Sequence, residues 1–178
     1  MLWRPMRETD LDEVAALADL VFPGHHEDRR FFAERLRLGP ATCFVLRDPE
    51  DRLEGYLVAY FWRLGVVPPL NAPTGTTSGA PDCVYIHDLA LTPEASGRGL
   101  ATAILRELSD RALARGVSRL ALVSVNASAA FWERSGFSGD SWGDAMLDKR
   151  SAYGEDARYM VRDLRVGGRA EATVTITN

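Results

Sequence analysis

Apolar residues recur at helical spacing in several stretches of the chain. The first stretch begins at Thr9, which opens a Thr-x-x-Asp start resembling a capping box. Its apolar positions are Leu11, Val14, Leu17 and Leu20. A second helix is predicted over 27–38, with acidic residues in its first turn, where the helix dipole favours them. Its expected buried side consists of Phe31, Phe32, Leu36 and Leu38. Further helices are predicted over 97–115, ending before Gly116, and over 128–135.

Continuous and alternating apolar runs predict the strands of a sheet. These runs cover residues 2–6, 42–47, 54–62, 83–91, 117–125, 137–142 and 158–164. Pro5 limits the first run to an edge, because proline cannot donate a ladder hydrogen bond. The connection over 63–82 is rich in Pro, Gly and Thr. A structureless segment of about 20 residues inside a compact domain tends to be functional or disordered.

Length and composition indicate one globular domain. With 178 residues, 46% of them hydrophobic, we expect a single domain over 1–165. The tail over 166–178 is expected to be an edge strand, a dimer contact or a frayed end. Cys43 and Cys83 lie in apolar runs and are expected to be reduced core residues.

Charge and hydropathy limit the partners of the protein. No apolar run approaches the roughly 20 residues that span a bilayer, and the first residues lack the pattern of a signal peptide. We therefore expect a cytoplasmic protein without a membrane partner. A net charge of −4 and a pI of about 5.4 argue against nucleic acid as the main partner.

A glycine-rich turn joins the run 83–91 to the helix that follows it. Gly97 and Gly99 carry no Cβ, so an anionic ligand can approach the bare backbone closely. The first N–H groups of the helix lack intrahelical partners, and the macrodipole adds roughly half a positive charge. The turn therefore predicts a phosphate-binding site. It lacks the Gly-Lys-Ser/Thr of a Walker A loop and the third glycine of a dinucleotide fingerprint.

Two motifs together resemble the Gcn-related N-acetyltransferase (GNAT) superfamily. The turn from Ser96 to Ala101 resembles the pyrophosphate-binding pattern Gln/Arg-x-x-Gly-x-Gly/Ala, with Ser96 at the usual Arg or Gln position and Arg98 nearby. The stretch 120–137 ends in Phe-Trp-Glu-Arg-Ser-Gly-Phe and resembles the family signature Phe/Leu-Tyr-Glu-Lys/Arg-x-Gly-Phe. The resemblance extends from Met1 to about residue 164.

This resemblance implies a fold and a co-substrate. The fold is α/β (α+β), with a mixed, mostly antiparallel sheet of six to seven strands flanked by four helices. The runs 83–91 and 117–125 should splay apart and admit acetyl-CoA, without a metal. The cofactor-binding residues that the resemblance implies are Leu89, Ala90, Leu91, Ser96, Gly97, Arg98, Gly99, Leu100, Ala101, Thr102, Asn126, Phe131 and Trp132. Residues 89–91 should act through their main chain; Asn126 also suits a helix cap, and Phe131 core packing.

His87 and Asp88 are the candidate bases for amine deprotonation. A histidine pKa near 6.5 suits proton acceptance at neutral pH, but a His–Asp pair also suits a structural link between sheet and helices. Strand side chains alternate between the two faces of a sheet. This places Tyr85, His87 and Leu89 on one face and Ile86, Asp88 and Ala90 on the other.

The acid that protonates the departing thiolate is an open assignment. The family often has a tyrosine where this chain has Trp132, and an indole N–H does not titrate usefully. Tyr153 and Tyr159 are conceivable substitutes, and both also suit structural roles.

The acceptor implied by the resemblance is a primary amine of a small molecule or a protein, and a homodimer is possible. The stretch from His25 to Asp28 fits an acidic substrate rim better than a metal site, because no second ligand cluster accompanies it. We expect 63–82 to form a flap on the substrate side, with a solvated excursion as the alternative. Rival functions are a non-catalytic acyl-CoA sensor, favoured by Trp132 and Ser96, and a regulatory interaction module.

Overall fold

Six strands form one sheet in the part of the chain that the computed structural model describes, which comprises residues 1–24, 26–139, 153 and 156–165. The strands are β1 (Leu2–Pro5), β2 (Phe44–Arg47), β3 (Leu53–Trp62), β4 (Cys83–Leu91), β5 (Arg119–Ser124) and β6 (Arg158–Asp163). They lie in chain order across the sheet. All neighbours are antiparallel except β4 and β5, which are parallel. The predicted mixed, mostly antiparallel sheet is confirmed.

Among the described residues, four α-helices cover the two faces of this sheet. They are α1 (Leu11–Val21), α2 (Arg29–Leu38), α3 (Leu100–Ala114) and α4 (Ala129–Arg134), and a 3-10 turn at Glu8–Asp10 precedes α1. Apolar side chains of α1 and α2 pack on the first face, and those of α3 and α4 pack on the second. The helix α3 is the crossover that parallel pairing of β4 and β5 requires.

The parallel pair β4–β5 is joined over only part of its length. Paired residues run from Val84–Leu120 to Ile86–Leu122. The strand β4 continues to Leu91 and β5 to Ser124, so the strands diverge beyond Ile86, as the resemblance implies. The divergence creates an opening in the middle of the sheet.

A β-bulge at His87 alters the facing of β4. Val58 of β3 pairs with Asp88, whereas the next residue, Ala59, pairs with Ile86, so His87 is the extra residue. Asp88 therefore contacts Tyr56 on the same face where His87 contacts Tyr60. The predicted alternation is wrong at this point: His87, Asp88 and Ala90 share the first face, and Leu89 packs on the second.

The starts of α1 and α2 differ from the sequence prediction. Thr9 lies inside the 3-10 turn and does not cap α1, which follows Asp10 directly. The helix α2 begins at Arg29 with Asp28 as its N-cap, whose side chain accepts from Arg30 N at 2.9 Å. The acidic residues thus precede the helix rather than occupying its first turn.

The buried side of α2 also differs at two positions. Phe31, Phe32 and Leu36 are buried as predicted, but Leu38 is 41% exposed at the helix end. Arg35 is fully buried in its place. A guanidinium at such a depth requires an acidic partner, and that partner is part of the site described below.

Some of the remaining predictions are confirmed, and others concern residues that lie outside the described part of the chain. Cys43 and Cys83 are buried and free, and Gly116 ends α3 with φ of 75°. In the predicted strand 137–142, Ser138 forms an isolated bridge with Val161, and residues 140–142 lie outside the described residues, as does the tail 166–178. Among the described helices, none combines the length and apolarity needed to cross a membrane.

Candidate active site

The divergence of β4 and β5 opens a cleft of about 280 Å³, called the cleft below. Its lining residues are Val21, Phe22, Ile86, His87, Asp88, Leu89, Leu122, Val123, Val125, Asn126, Ser128, Phe131 and Trp132. The structure thus brings together both candidate bases and several of the implied cofactor residues. Ala90 is different, because its side chain is buried in the first-face core, as expected if 89–91 act through the main chain.

Asn126 reaches the cleft from a strained turn after β5. Ser128 N donates to Val125 O at 3.0 Å, and the residues between them, Asn126 and Ala127, have φ of 52° and 56°. This left-handed region favours glycine, and other residues occupy it at a cost. Asn126 does not cap α4, whose N-cap is Ser128.

The turn between β4 and α3, for which the sequence predicts phosphate binding, is called the cradle below and comprises residues 97–102. Gly97 and Gly99 have φ of 72° and 75°, and a Cβ added at either position would meet no atom within 4 Å. Within the described part of the chain, no hydrogen bond uses the main-chain N–H groups of the cradle. Trp3 Nε1 donates to Leu100 O at 3.0 Å and fixes the start of α3. The cradle therefore presents free donors at a helix N-terminus.

Ser96 and Arg98 have different surroundings at this turn. The Ser96 hydroxyl donates to Thr92 O at 3.0 Å, so it closes its own turn. The exposed Arg98 approaches the sulfur of Met1 at 3.4 Å. The role of Arg98 as a cation for a bound phosphate stays a prediction.

A groove of about 480 Å³ begins beside the cradle at Thr102 and follows α3. Its charged lining residues are Arg106, Asp110, Arg134 and Arg162. Its three arginines form no ion pair with any described residue. The groove thus adds positive charge next to the free donors, and sequence reasoning did not identify it.

Glu27 lies at the centre of a buried polar network, called the Glu27 network below. Its Oε2 lies 2.8 Å from Nε2 of His87, and its Oε1 lies 2.6 Å from Nη2 of Arg35. Asn71 N also donates to Oε1 at 2.8 Å. The side chains of His87, Glu27 and Arg35 are only 1%, 4% and 0% exposed.

The charge state of Glu27 fixes the tautomer of His87. Burial alone would raise the pKa of Glu27, but His87 and Arg35 outweigh it and hold that pKa below its usual value. An ionised carboxylate only accepts, so Nε2 of His87 carries a proton. Nδ1 of His87 lies 3.5 Å from the hydroxyl of Tyr60. The imidazole thus links β4 to the turn before α2.

The main chain of His87 is more accessible than its side chain. The residue as a whole is half-buried although its side chain is 1% exposed, so the exposed atoms belong to the backbone. A bulged residue lies outside the regular ladder. This backbone therefore faces the opening between β4 and β5.

Asp88 has few partners for a carboxylate at this depth. Its hydrogen bond within the described residues comes from Tyr56, whose hydroxyl donates to Oδ2 at 3.4 Å. Burial raises the pKa of Asp88, with the negative charge of Glu27 adding to the effect and His87 opposing it. A carboxyl group with a raised pKa is a better proton acceptor than a free one.

A second, smaller cavity of about 40 Å³, called the inner cavity, lies on the first face. Its lining residues are Ala18, Phe22, Glu27, Phe32, Leu70, His87, Asp88, Val123, Val125 and Tyr153. It shares Phe22, His87, Asp88, Val123 and Val125 with the cleft. The cleft and the inner cavity are therefore neighbours across these five residues, and Asp88 is the one carboxylate among them.

The tyrosines that sequence analysis named have distinct places. The Tyr153 hydroxyl, at the inner cavity, donates to Pro68 O at 2.8 Å, and burial raises the pKa of Tyr153. The Tyr159 hydroxyl accepts from Gly65 N at 2.9 Å, away from the lining of either space. No described tyrosine lines the cleft, whereas Trp132 does and is 7% exposed.

The first part of the connection 63–82 forms a wall of the site. Arg35 Nη2 donates to Pro69 O at 3.0 Å, and Thr74 N donates to Glu34 Oε1 at 2.9 Å. Leu70 lines the inner cavity between these anchors. Residues 75, 76 and 78–80 are exposed. The segment 67–74 is therefore held against the site rather than forming a solvated excursion.

A metal at Glu27, His87 and Asp88 has to be weighed, because these residues offer ligand atoms within 4.8 Å of one another. Both oxygens of Glu27 are already used by His87, Arg35 and Asn71. A cation there would lie beside the Arg35 guanidinium and compete with it. The donor set fits proton transfer and ion pairing better than metal binding.

Family and structure comparisons identify the chain. The model of the acetyltransferase (GNAT) family matches residues 10–137. The chain belongs to this family. A search among curated proteins gives no match.

Solved structures with the same fold agree with the GNAT assignment. Naa20 of Chaetomium thermophilum in complex with a bisubstrate analogue is 19% identical, with a TM-score of 0.69 over 98% of this chain and 93% of that one. Naa50 of Arabidopsis thaliana in complex with the bisubstrate analogue CoA-Ac-MVNAL is 15% identical, with a TM-score of 0.66 over 91% and 97%. N-acetylglutamate synthase of Neisseria gonorrhoeae, complexed with coenzyme A and N-acetyl-glutamate, is 25% identical, with a TM-score of 0.65 over 92% of this chain and 35% of that one.

Sequence reasoning placed Glu27 only within an acidic substrate rim, without its buried partners, and missed Arg35 as a member of this GNAT site. One signal was present: Arg35 occupies the apolar side of α2, four residues after Phe31 and one before Leu36. A charge at such a position predicts a buried partner. Glu27 stands eight residues earlier, beyond the helix start.

Proposed function

We propose that the protein is an acetyl-CoA-dependent N-acetyltransferase acting on a primary amine of a small molecule or a protein. The observation that carries the proposal is the position of Asp88 in the lining of both the cleft and the inner cavity, beyond the point where β4 and β5 separate. Such a position lets a thioester and an amine arrive through different cavities and meet at a carboxylate.

The cradle and the cleft fit a CoA thioester. The free N–H groups of residues 97–102 suit the pyrophosphate, and the open space beside Gly97 and Gly99 allows a close approach. The arginines of the neighbouring groove suit the remaining phosphate charge. When bound, acetyl-CoA supplies the acetyl group, whose bond to sulfur breaks as its bond to the amine nitrogen forms. Asn126, Phe131 and Trp132 line the path between the cradle and Asp88 as proposed cofactor contacts.

We assign proton acceptance to Asp88, with His87 as the alternative. Asp88 lines both cavities and has one weak partner, so it can hold an ammonium group and then take its proton. The side chain of His87 is enclosed and bound to Glu27, which favours a positioning role. The exposed main chain of His87 and the following residues suits an oxyanion-type donor, worth about 3 kcal/mol of barrier.

The thiolate needs little help to leave. A thiol has a pKa near 8.5, so a water or a hydrogen bond can suffice for its protonation. Tyr153 could act as the acid only from the inner cavity, because its hydroxyl donates to Pro68 O and the residue does not line the cleft.

One observation favours a second candidate, a non-catalytic acyl-CoA-binding or regulatory GNAT module. Trp132 occupies the signature position where the resemblance implies a tyrosine, and no tyrosine among the described residues lines the cleft. Calorimetric titration with acetyl-CoA and a screen of amines for CoA thiol release separate the candidates. The sensor binds acetyl-CoA and releases no thiol with any amine, whereas the enzyme does both.

The wider organisation remains proposed. We take residues 1–165 as one N-acetyltransferase domain and residues 166–178 as an attached tail with an alternating Thr pattern. A homodimer and a cytoplasmic location remain predictions, and size-exclusion chromatography with light scattering tests the first.

A further inference from the structure

The inner cavity is the place left for the acceptor once the cleft holds the co-substrate. The implied cofactor residues Leu89, Asn126, Phe131 and Trp132 all line the cleft, and none of them lines the inner cavity. The lining residues that the inner cavity does not share with the cleft come from α1, α2 and the turn before it, the segment 67–74, and Tyr153. An amine in the inner cavity therefore reaches Asp88 from a different side than the thioester.

The charge of the inner cavity selects against acidic acceptors. Its ionisable lining residues are the carboxylates of Glu27 and Asp88, together with His87 and Tyr153. No lysine or arginine among the described residues lines it. Arg35 is nearby, but it is fully enclosed and does not line the cavity; its Nη2 binds Glu27 and Pro69 O, whereas its Nε and Nη1 have no hydrogen-bond partner among the described residues. A carboxylate on the acceptor would face two like charges without a cation to bind it.

The size and polarity of the inner cavity set a second limit. Its apolar walls are Ala18, Phe22, Phe32, Leu70, Val123 and Val125. Its volume of about 40 Å³ is small beside the roughly 280 Å³ of the cleft. Such a space favours a short alkyl chain over a long or strongly hydrated one.

We propose that the acceptor is a short aliphatic primary amine that carries no carboxylate near its nitrogen. This inference rests on the proposed N-acetyltransferase function and names its substrate class. The ammonium group binds Asp88, where one carboxylate oxygen has a weak partner and the other has none among the described residues. The alkyl part lies against Leu70 and Phe32. Asp88 takes one proton from the ammonium, the neutral amine nitrogen then bonds to the acetyl carbon as the acetyl–sulfur bond breaks, and the second proton that the nitrogen loses protonates the departing thiolate.

Two acceptors with one skeleton test the charge rule. Isoamylamine and β-alanine have the same arrangement of heavy atoms and amines of similar basicity, but β-alanine ends in a carboxylate where isoamylamine has two methyl groups. With acetyl-CoA saturating, kcat/KM for isoamylamine is expected to exceed that for β-alanine at least tenfold. A tetrapeptide that begins with alanine is measured alongside, and a kcat/KM above that of isoamylamine would replace the small amine by a peptide N-terminus.

A substitution at Leu70, in the wall of the inner cavity, tests the same charge preference by adding a cation. Leu70→Arg places a cation at the inner cavity and should raise the ratio of β-alanine to isoamylamine turnover at least tenfold. Leu70→Met, which adds length without charge, should not move the ratio toward β-alanine. Thermal unfolding of both variants verifies that they are folded before the ratios are compared.

The outcomes separate the acceptor class from the proposed function. Equal or faster turnover of β-alanine by the wild-type protein overturns the acceptor class and leaves acetyl transfer in place. Bound acetyl-CoA with no thiol release for any of these amines overturns both proposals.

Discussion

Asp88 is a half-buried carboxylate that forms no ion pair within the described residues, unlike the buried carboxylates Glu27 and Asp10. Glu27 is bound by Arg35, and Asp10 by Arg4 and Arg47. Asp88 has only the long contact from Tyr56 within the described residues. An unpaired carboxylate at the junction of two cavities is arranged for a ligand rather than for stability.

Removal of this carboxylate should abolish most of the activity. Asp88→Asn is expected to lower kcat by about 10²–10⁴-fold, because a positioned base contributes that much, while acetyl-CoA affinity stays within about twofold. Steady-state thiol release and calorimetry measure the two effects. If His87→Ala causes the larger loss instead, the base is His87 and Asp88 has the lesser role.

A pH profile gives an independent view of the same group. Activity should rise with pH as Asp88 deprotonates, and the raised pKa of Asp88 places this limb above the usual range for aspartate. The hydrogen bond from Tyr56 lowers that pKa, so Tyr56→Phe should move the limb to higher pH, and Asp88→Asn should remove it.

Glu27 should matter for stability as well as for His87. Glu27→Gln leaves the enclosed Arg35 charge without its partner, which costs about 3–5 kcal/mol of unfolding free energy for a buried pair. The control is Glu13→Gln, since Glu13 also binds an arginine but is 53% exposed, and its loss should cost about 1 kcal/mol or less. Urea unfolding compares them, and equal losses would show that the Glu27 network is not a buried ion pair.

Asp10 gives the protein a defined acid sensitivity. Burial would raise its pKa, but hydrogen bonds from Arg4, Arg7 N and Arg47 lower the pKa of Asp10 from 3.8 to about 2. The folded state thus gains about 2 kcal/mol above pH 3.8, and this gain is lost as the pH falls toward 2.

Substitution of Asp10 should flatten that part of the stability curve. Asp10→Asn is expected to be less stable than wild type at neutral pH and to lose less between pH 3.8 and 2. Asp12→Asn serves as the control, because the Asp12 side chain is 78% exposed. Between pH 3.8 and 2, the free energy of unfolding should fall as steeply for Asp12→Asn as for wild type. It should fall less steeply for Asp10→Asn.

At the scale of elements, the glycines at the two ends of α3 distinguish the effect of ligand contact from the effect of backbone strain. Gly99→Ala forces a Cβ into a left-handed residue, which costs about 1–2 kcal/mol, and also places that Cβ where the pyrophosphate approaches. Gly116, at the other end of α3, has the same φ of 75° and the same open surroundings. Gly116→Ala therefore reproduces the strain away from the cradle.

The two alanine variants should differ in binding. Calorimetry is expected to show at least a tenfold loss of acetyl-CoA affinity for Gly99→Ala and none for Gly116→Ala, with similar losses of thermal stability. Equal affinities in both variants would move the pyrophosphate away from residues 97–102.

The sequence predicted the elements better than their details. The bounds of β4 were predicted correctly, because apolar residues form both ends of the strand, on either side of His87 and Asp88. The bulge at His87 was not, since it depends on how β3 pairs with β4 and leaves no mark in the local alternation. Its consequence is large, because it puts His87 and Asp88 on one face.

The site was predictable where it depends on local chemistry. The two glycines and the helix after them predicted a turn with exposed backbone at this place. In the structure, both glycines have the left-handed φ that glycine permits. The Glu27 network joins residues far apart in the chain, from the turn before α2, β4 and the segment 67–74. Contacts of that kind depend on the packing of the whole domain rather than on any local pattern.

At the scale of the whole molecule, the proposed cofactor and acceptor sites lie on opposite faces of the sheet. The second face and the turn before α3 carry the cradle and the arginine groove, while the first face carries the Glu27 network and the inner cavity. The divergence of β4 and β5 connects the two faces at Asp88. Although the net charge is −4, three arginines line the groove on the cofactor side, whereas the inner cavity is lined by the carboxylates of Glu27 and Asp88.

The most direct test of acetyl transfer is the amine dependence of CoA thiol release from acetyl-CoA by the wild-type protein. Thiol release should rise and saturate with the concentration of a short aliphatic amine, with one acetylated amine found by mass spectrometry for each thiol released. A protein that binds acetyl-CoA yet releases thiol at the same rate with and without every amine offered would contradict the account.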